Sequence, residues 1–176
     1  MCSSDLHAAT NYELYKGLHS AHNEHNYFEL AYSLNRQFGE MGIYKHLELN
    51  SFVDNHDVAR IASQLREPAG LYPLHVALVC APGIPSVYYG SEFGLAGIKS
   101  HDDWNLRPEF NPHALAESSP QPDLFAWIRR LAQIRKNSPA LRWGSYVQRL
   151  VTADQFAFSR HRSEERRVGK ECRSRW

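Results

Sequence analysis

Phe52-Val53 is followed at once by Asp54, Asn55, His56 and Asp57. A short apolar pair heading into a core thus ends in four polar side chains, two of them carboxylates. A carboxylate accepts hydrogen bonds from two vicinal hydroxyls at once, and an imidazole beside it donates to another. Held in place, such charge stabilises developing positive charge better than water does. Two plainer readings use the same residues. Asp57 has the residue type of a helix N-cap and stands just before an apolar periodic stretch from Val58. His56 with Asp54 or Asp57 has the donor types of a metal site, with His101, Asp102 and Asp103 further along, although a second clustered histidine at useful spacing is lacking.

Other polar and aromatic residues have weaker signals. His19, His22 and His25 recur every third residue and could line one helical face, but no HExxH occurs, so they read as solvent-facing. Tyr88 and Tyr89 have rings that can stack on a ligand and hydroxyls that can bond to it, and one of them reads as core. Trp104, in "HDDWNLRP", is a tryptophan in a polar loop. Arg60 either pairs with a nearby carboxylate or faces solvent.

The elements that must hold these residues follow from periodicity. Tyr27, Leu30, Ala31, Leu34 and Phe38 form one helical face, and Gly39 stops the helix. Leu49 to Val53 reads as a short buried strand. Val58, Ile61, Ala62 and Leu65 return to helical spacing. "LYPLHVALVCA", Leu71 to Ala81, is apolar nearly all round and predicts a buried helix, with Pro73 tolerated in its first turn. "IPSVYYG", Ile84 to Gly90, reads as a second buried strand. Lys99 to Pro122 has four prolines and reads as a long loop. Asp123 caps a helix with Leu124, Trp127, Ile128, Leu131 and Ile134 on its apolar face. The period then becomes two, and "YVQRLV" with "FAFSRH" predicts an antiparallel hairpin. Strands alternating with helices imply an α/β fold with a parallel sheet. Two such strands alone leave long unpaired edges, so the body reads as the end of a larger α/β domain, with a β domain beginning after it.

Composition limits the partners. The chain has 176 residues, 43% of them hydrophobic and 22% charged, with a formal net charge of +1. That balance offers no electrostatic reason for nucleic acid or a membrane surface. Ser163 to Trp176 has five Lys/Arg against three Glu, a weak basic patch for phosphates. No apolar run approaches the roughly 18–20 residues of a membrane span. Met1 to Leu6 has no basic region followed by an apolar core, so it does not read as a signal peptide. Localisation stays open, with the cytoplasm favoured. Cys2, Cys80 and Cys172 are far apart and form no CxxC, which gives no disulfide framework or cysteine zinc site.

"FVDNHD" resembles a signature of the α-amylase family of glycoside hydrolases, at the end of its seventh barrel strand. "GIPSVYYGSEFG" (Gly83 to Gly94) resembles the eighth strand and following loop. "IRKNSPALRWGSY" (Ile134 to Tyr146) resembles the last barrel helix leading into a C-terminal β domain, and "NYELYKGLHSAHN" (Asn11 to Asn23) the region after the sixth strand. The resemblance covers about residues 7 to 162. It implies the C-terminal third of a TIM (β/α)8 barrel over residues 7–142 and the start of an antiparallel β domain over 143–162. Residues 1–6 and 163–176 read as foreign to the domain.

By this resemblance Asp57 is the third catalytic carboxylate of a retaining glycosidase acting on α-linked glucans or oligosaccharides. His56 binds a hydroxyl of the same sugar, Asn55 holds the strand end, and Trp104 is a candidate stacking platform. In a regular strand His56 and Asp57 point to opposite faces, so the backbone must bend there. The nucleophile aspartate and acid/base glutamate belong to strands four and five, which nothing in this chain matches. The chain alone is therefore expected to be inactive. No cofactor or metal is implied. The alternatives are a transglycosylase or a sucrose- or trehalose-converting relative, a non-catalytic sugar-binding domain, or a metal-dependent hydrolase around Asp54, His56 and Asp57.

Overall fold

The computed structural model describes residues 9–101, 103–109 and 111–162. Helix α1, Tyr12–Asn23, starts where the Asn11 side chain accepts from the Leu14 N–H at 2.9 Å. Its buried stripe of Leu14, Gly17, Leu18 and Ala21 packs on α2, Tyr27–Phe38, which buries Leu30, Ala31, Leu34 and Phe38. Gly17 has no side chain, so Leu30 comes close to the α1 backbone there. At the base of the pair Asn11 donates to Gln37 at 2.6 Å inside the core, and Arg36 pairs with Glu13.

Strand β1, Asn50–Phe52, lies between two parallel neighbours. Thr10 bridges to Asn50 on one side, and β2, Ile84–Ser86, pairs with β1 on the other from Asn50↔Ile84 to Phe52↔Ser86. Both strands are shorter than their apolar runs suggest. Helix α4, Leu71–Cys80, connects β1 to β2 and buries Leu71, Leu74, His75, Leu78 and Val79. Gly83 enters β2 with φ +97°, and a Cβ there would lie 2.4 Å from the Leu49 carbonyl oxygen, so only glycine fits.

Helix α6, Leu124–Asn137, covers α4 with Leu124, Ile128 and Leu131; Ile134, expected on the same face, is 47% exposed. Asp123 occupies the cap position, but its side chain makes no cap hydrogen bond. Helix α7, Pro139–Trp143, is capped by Ser138 and leads into the expected hairpin of β3, Ser145–Val151, and β4, Phe156–His161.

Two expectations change. The helix read from Val58 is the four-residue α3, Ile61–Gln64, because the Ile61 N–H is claimed by the Asp54 carboxylate and residues before it turn toward the strand end. The long loop after β2 contains a helical turn at Trp104–Leu106 and a short helix α5, Pro112–Ser118. Pro112 starts α5, where its missing N–H costs nothing. Residues 1–6 and 163–176, read as foreign, lie outside the described residues.

Candidate active site

The polar cluster stands at the carboxyl end of β1, the end where parallel α/β sheets carry their sites. The backbone bends there: His56 and Asp57 form a turn, and the Asn55 Oδ1 accepts from the Asp57 N–H at 2.8 Å. This Asx turn brings the His56 Nε2 within 3.3 Å of the Asp57 Oδ2. Both side chains are half exposed, open to a ligand. Asn55 thus acts through its side-chain oxygen, and its Nδ2 reaches the Tyr12 hydroxyl at 3.5 Å.

Asp54 has a different task. It is 1% exposed. Its Oδ2 takes the Ile61 N–H at 2.8 Å, and the Ser91 hydroxyl lies 2.7 and 2.9 Å from its two oxygens. Burial pushes the Asp54 carboxyl up, opposed by these two donors and by Arg60. The capping role suggested for Asp57 therefore falls to Asp54. The metal reading loses Asp54 to that role, and among the described residues no three His, Cys, Asp or Glu side chains gather as donors. Asp102 lies outside the described residues.

Arg60, read as ion-paired or solvated, is buried at 0% exposure. It donates to the Tyr89 carbonyl at 2.6 Å, to the Leu106 carbonyl at 2.7 Å and to the Ser91 Oγ at 3.3 Å. Its guanidinium lies 4.1 Å from the Tyr88 ring centroid, and that ring is 6.3 Å from His56. Tyr88 and Tyr89 are thereby tied to the arginine.

Two cations reach the cluster from the loop after β2, and sequence reasoning named neither. The Lys99 ammonium donates to the Asp57 carbonyl at 2.8 Å. Arg107 reaches the His56 carbonyl at 3.3 Å, the Asp57 Oδ1 at 3.5 Å and the Asp103 Oδ2 at 3.4 Å. The spacing of Asp103 and Arg107, one helical turn apart, was the available signal. Trp104 is 77% exposed on the same turn. Among the described residues no hydrogen bond or ring contact joins it to Asn55, His56 or Asp57. The three histidines of α1 and its end do not all face solvent: His22 donates to the Leu18 carbonyl at 2.7 Å and is partly buried, while His25 is exposed as expected and meets Asp154 at 3.0 Å.

A parallel β/α unit with polar side chains at a strand's carboxyl end is a layout that β/α barrels share with open α/β sheets. Residues 6–112 match the family described as "Alpha amylase, catalytic domain", and the chain belongs to that family. The cyclomaltodextrin glucanotransferase of Geobacillus stearothermophilus is 27% identical over 114 residues, 65% of this chain and 15% of that protein. The α-amylase of Anoxybacillus superposes with a TM-score of 0.74 at 24% identity, over 89% of this chain and 34% of that one. The α-amylase of H. orenii superposes with a TM-score of 0.72 at 20% identity, over 90% and 37%. These superpositions identify the fold as part of an α-amylase-type TIM barrel. The chain spans about a seventh of the curated relative and about a third of the solved structures.

Proposed function

We propose that this chain is the C-terminal part of the catalytic barrel of an enzyme that acts on α-linked glucans or oligosaccharides with retention of configuration. Residues 7–142 are the barrel portion, and 143–162 begin a C-terminal β domain. Asp57 is the carboxylate that grips a sugar and stabilises the oxocarbenium-like transition state, in which hydrogen bonds to ring hydroxyls strengthen. His56 donates to a hydroxyl of the same sugar, Asn55 holds the turn, and Trp104 offers a stacking face. The nucleophile and the proton donor come from strands outside this chain. The observation that carries this reading is the Asn55 turn, which turns His56 and Asp57 to one side, 3.3 Å apart, at the strand end.

The test is Asp57→Asn in the whole enzyme. Loss of turnover by several orders of magnitude with an unchanged melt supports the reading, and activity within a few-fold of the parent overturns it.

A second reading, glucanosyl transfer, is favoured by one observation: the similar curated proteins are cyclomaltodextrin glucanotransferases. Product analysis with and without an added glucose acceptor separates transfer from hydrolysis.

A further inference from the structure

Arg60 is three residues past Asp57, and it holds both ends of the loop that faces the cluster. Its backbone N–H donates to the Gly97 carbonyl at 2.8 Å. Its guanidinium donates to the Leu106 carbonyl at 2.7 Å. Gly97 is fixed again by its own N–H to the Ser63 hydroxyl at 2.8 Å. Between and just beyond these anchors stand Lys99, Trp104 and Arg107, and the two cations return to the carbonyls of Asp57 and His56. The packing at the anchor is close. A Cβ on Gly97 would lie 2.4 Å from the Asn105 carbonyl oxygen and 3.0 Å from the Arg60 Cγ. Burial makes the arrangement stiff, because a guanidinium without water needs its carbonyl partners.

We propose that Arg60 is a positioning residue. It sets where the rim of Lys99, Trp104 and Arg107 stands relative to His56 and Asp57, and so how tightly the site holds sugar units next to the one at Asp57. This rests on the functional reading above. Only arginine spans the two carbonyls, on Tyr89 and Leu106, from one planar fork; a lysine reaches one of them.

The experiment compares Arg60→Lys and Gly97→Ala with the parent in the whole enzyme, on a series of malto-oligosaccharides. KM is expected to rise about tenfold or more in both variants, with kcat within about threefold, the size of a lost hydrogen bond to a charged donor. A variant that merely loosened the fold would lower the active fraction, and with it kcat, at constant KM. Unchanged KM in a variant that melts cooperatively overturns the proposal. Should Arg60→Lys fail to fold, Gly97→Ala decides, because it keeps the arginine and displaces the loop. Asp57→Asn is measured alongside. If that variant stays active, the functional reading fails; if it is inactive and KM does not move in the others, the positioning role alone fails.

Discussion

The Arg107 guanidinium stands 3.5 Å from the Oδ1 of Asp57. The other oxygen, Oδ2, faces the His56 ring nitrogen at 3.3 Å. Each oxygen of the carboxylate is thus aligned by a different group, one from the loop after β1 and one from the loop after β2. All three side chains are about half exposed, so these pairs add little to stability. Their effect is on placement: the two contacts approach the carboxylate from different loops and bear on its orientation.

Asp57→Asn keeps the shape of that side chain and removes its charge. In the whole enzyme we expect turnover to fall by several orders of magnitude, with the melting temperature nearly unchanged. Steady-state rates on a soluble glucan, with a thermal melt of the same sample, check both halves.

His56→Ala should be milder. One hydrogen bond to a hydroxyl strengthens only partly in the transition state, so the loss in kcat/KM should be about 10- to 1000-fold. A larger loss than that of Asp57→Asn would reverse the assigned roles.

His75 lies on the buried face of α4, donates from Nδ1 to the Leu71 carbonyl at 2.7 Å, and has its Nε2 buried with no partner among the described residues. Burial holds its imidazolium pKa below the ordinary value. The unfolded chain therefore binds the proton more readily, and the stability contributed by neutral His75 is lost as pH falls below the ordinary histidine pKa of about 6.5. Thermal melts from pH 8 to pH 5 should show a falling midpoint, with a shallower fall in His75→Leu. Parallel curves would show that His75 does not contribute.

Gly83→Ala should destabilise by more than about 1 kcal/mol, because φ +97° disfavours alanine and the new methyl meets the Leu49 carbonyl. Chemical denaturation is the check. A midpoint equal to that of the parent would mean the β1–β2 junction relaxes freely.

The 176-residue chain by itself should release no reducing sugar from starch. A retaining mechanism needs two carboxyl groups about 5–5.5 Å apart. Asp54, the nearest in sequence to Asp57, is buried and engaged by Ile61 and Ser91. Release above that of an Asp57→Asn control would refute this.

Local periodicity carried the frame of the molecule. The stripes on α2 and α6, the all-round apolar α4 and the alternation of β3 and β4 were legible because burial repeats every 3.6 or 2 residues within one element. The polar cluster at the end of β1 was legible for a different reason: four polar residues directly after Phe52-Val53 mark the end of a strand, although Asp54 stays buried and only the later three open to solvent. Tertiary structure decided which carboxylate is buried and which is open, a choice between Asp54 and Asp57 that residue type cannot make. It also decided the fate of Arg60, Lys99 and Arg107. Their main partners are backbone carbonyls of Tyr89, Leu106, Asp57 and His56. Every residue has a carbonyl, so a bond to one leaves no residue type to read at the far end. Only the packing of the two loops determines which carbonyl an arginine or lysine meets.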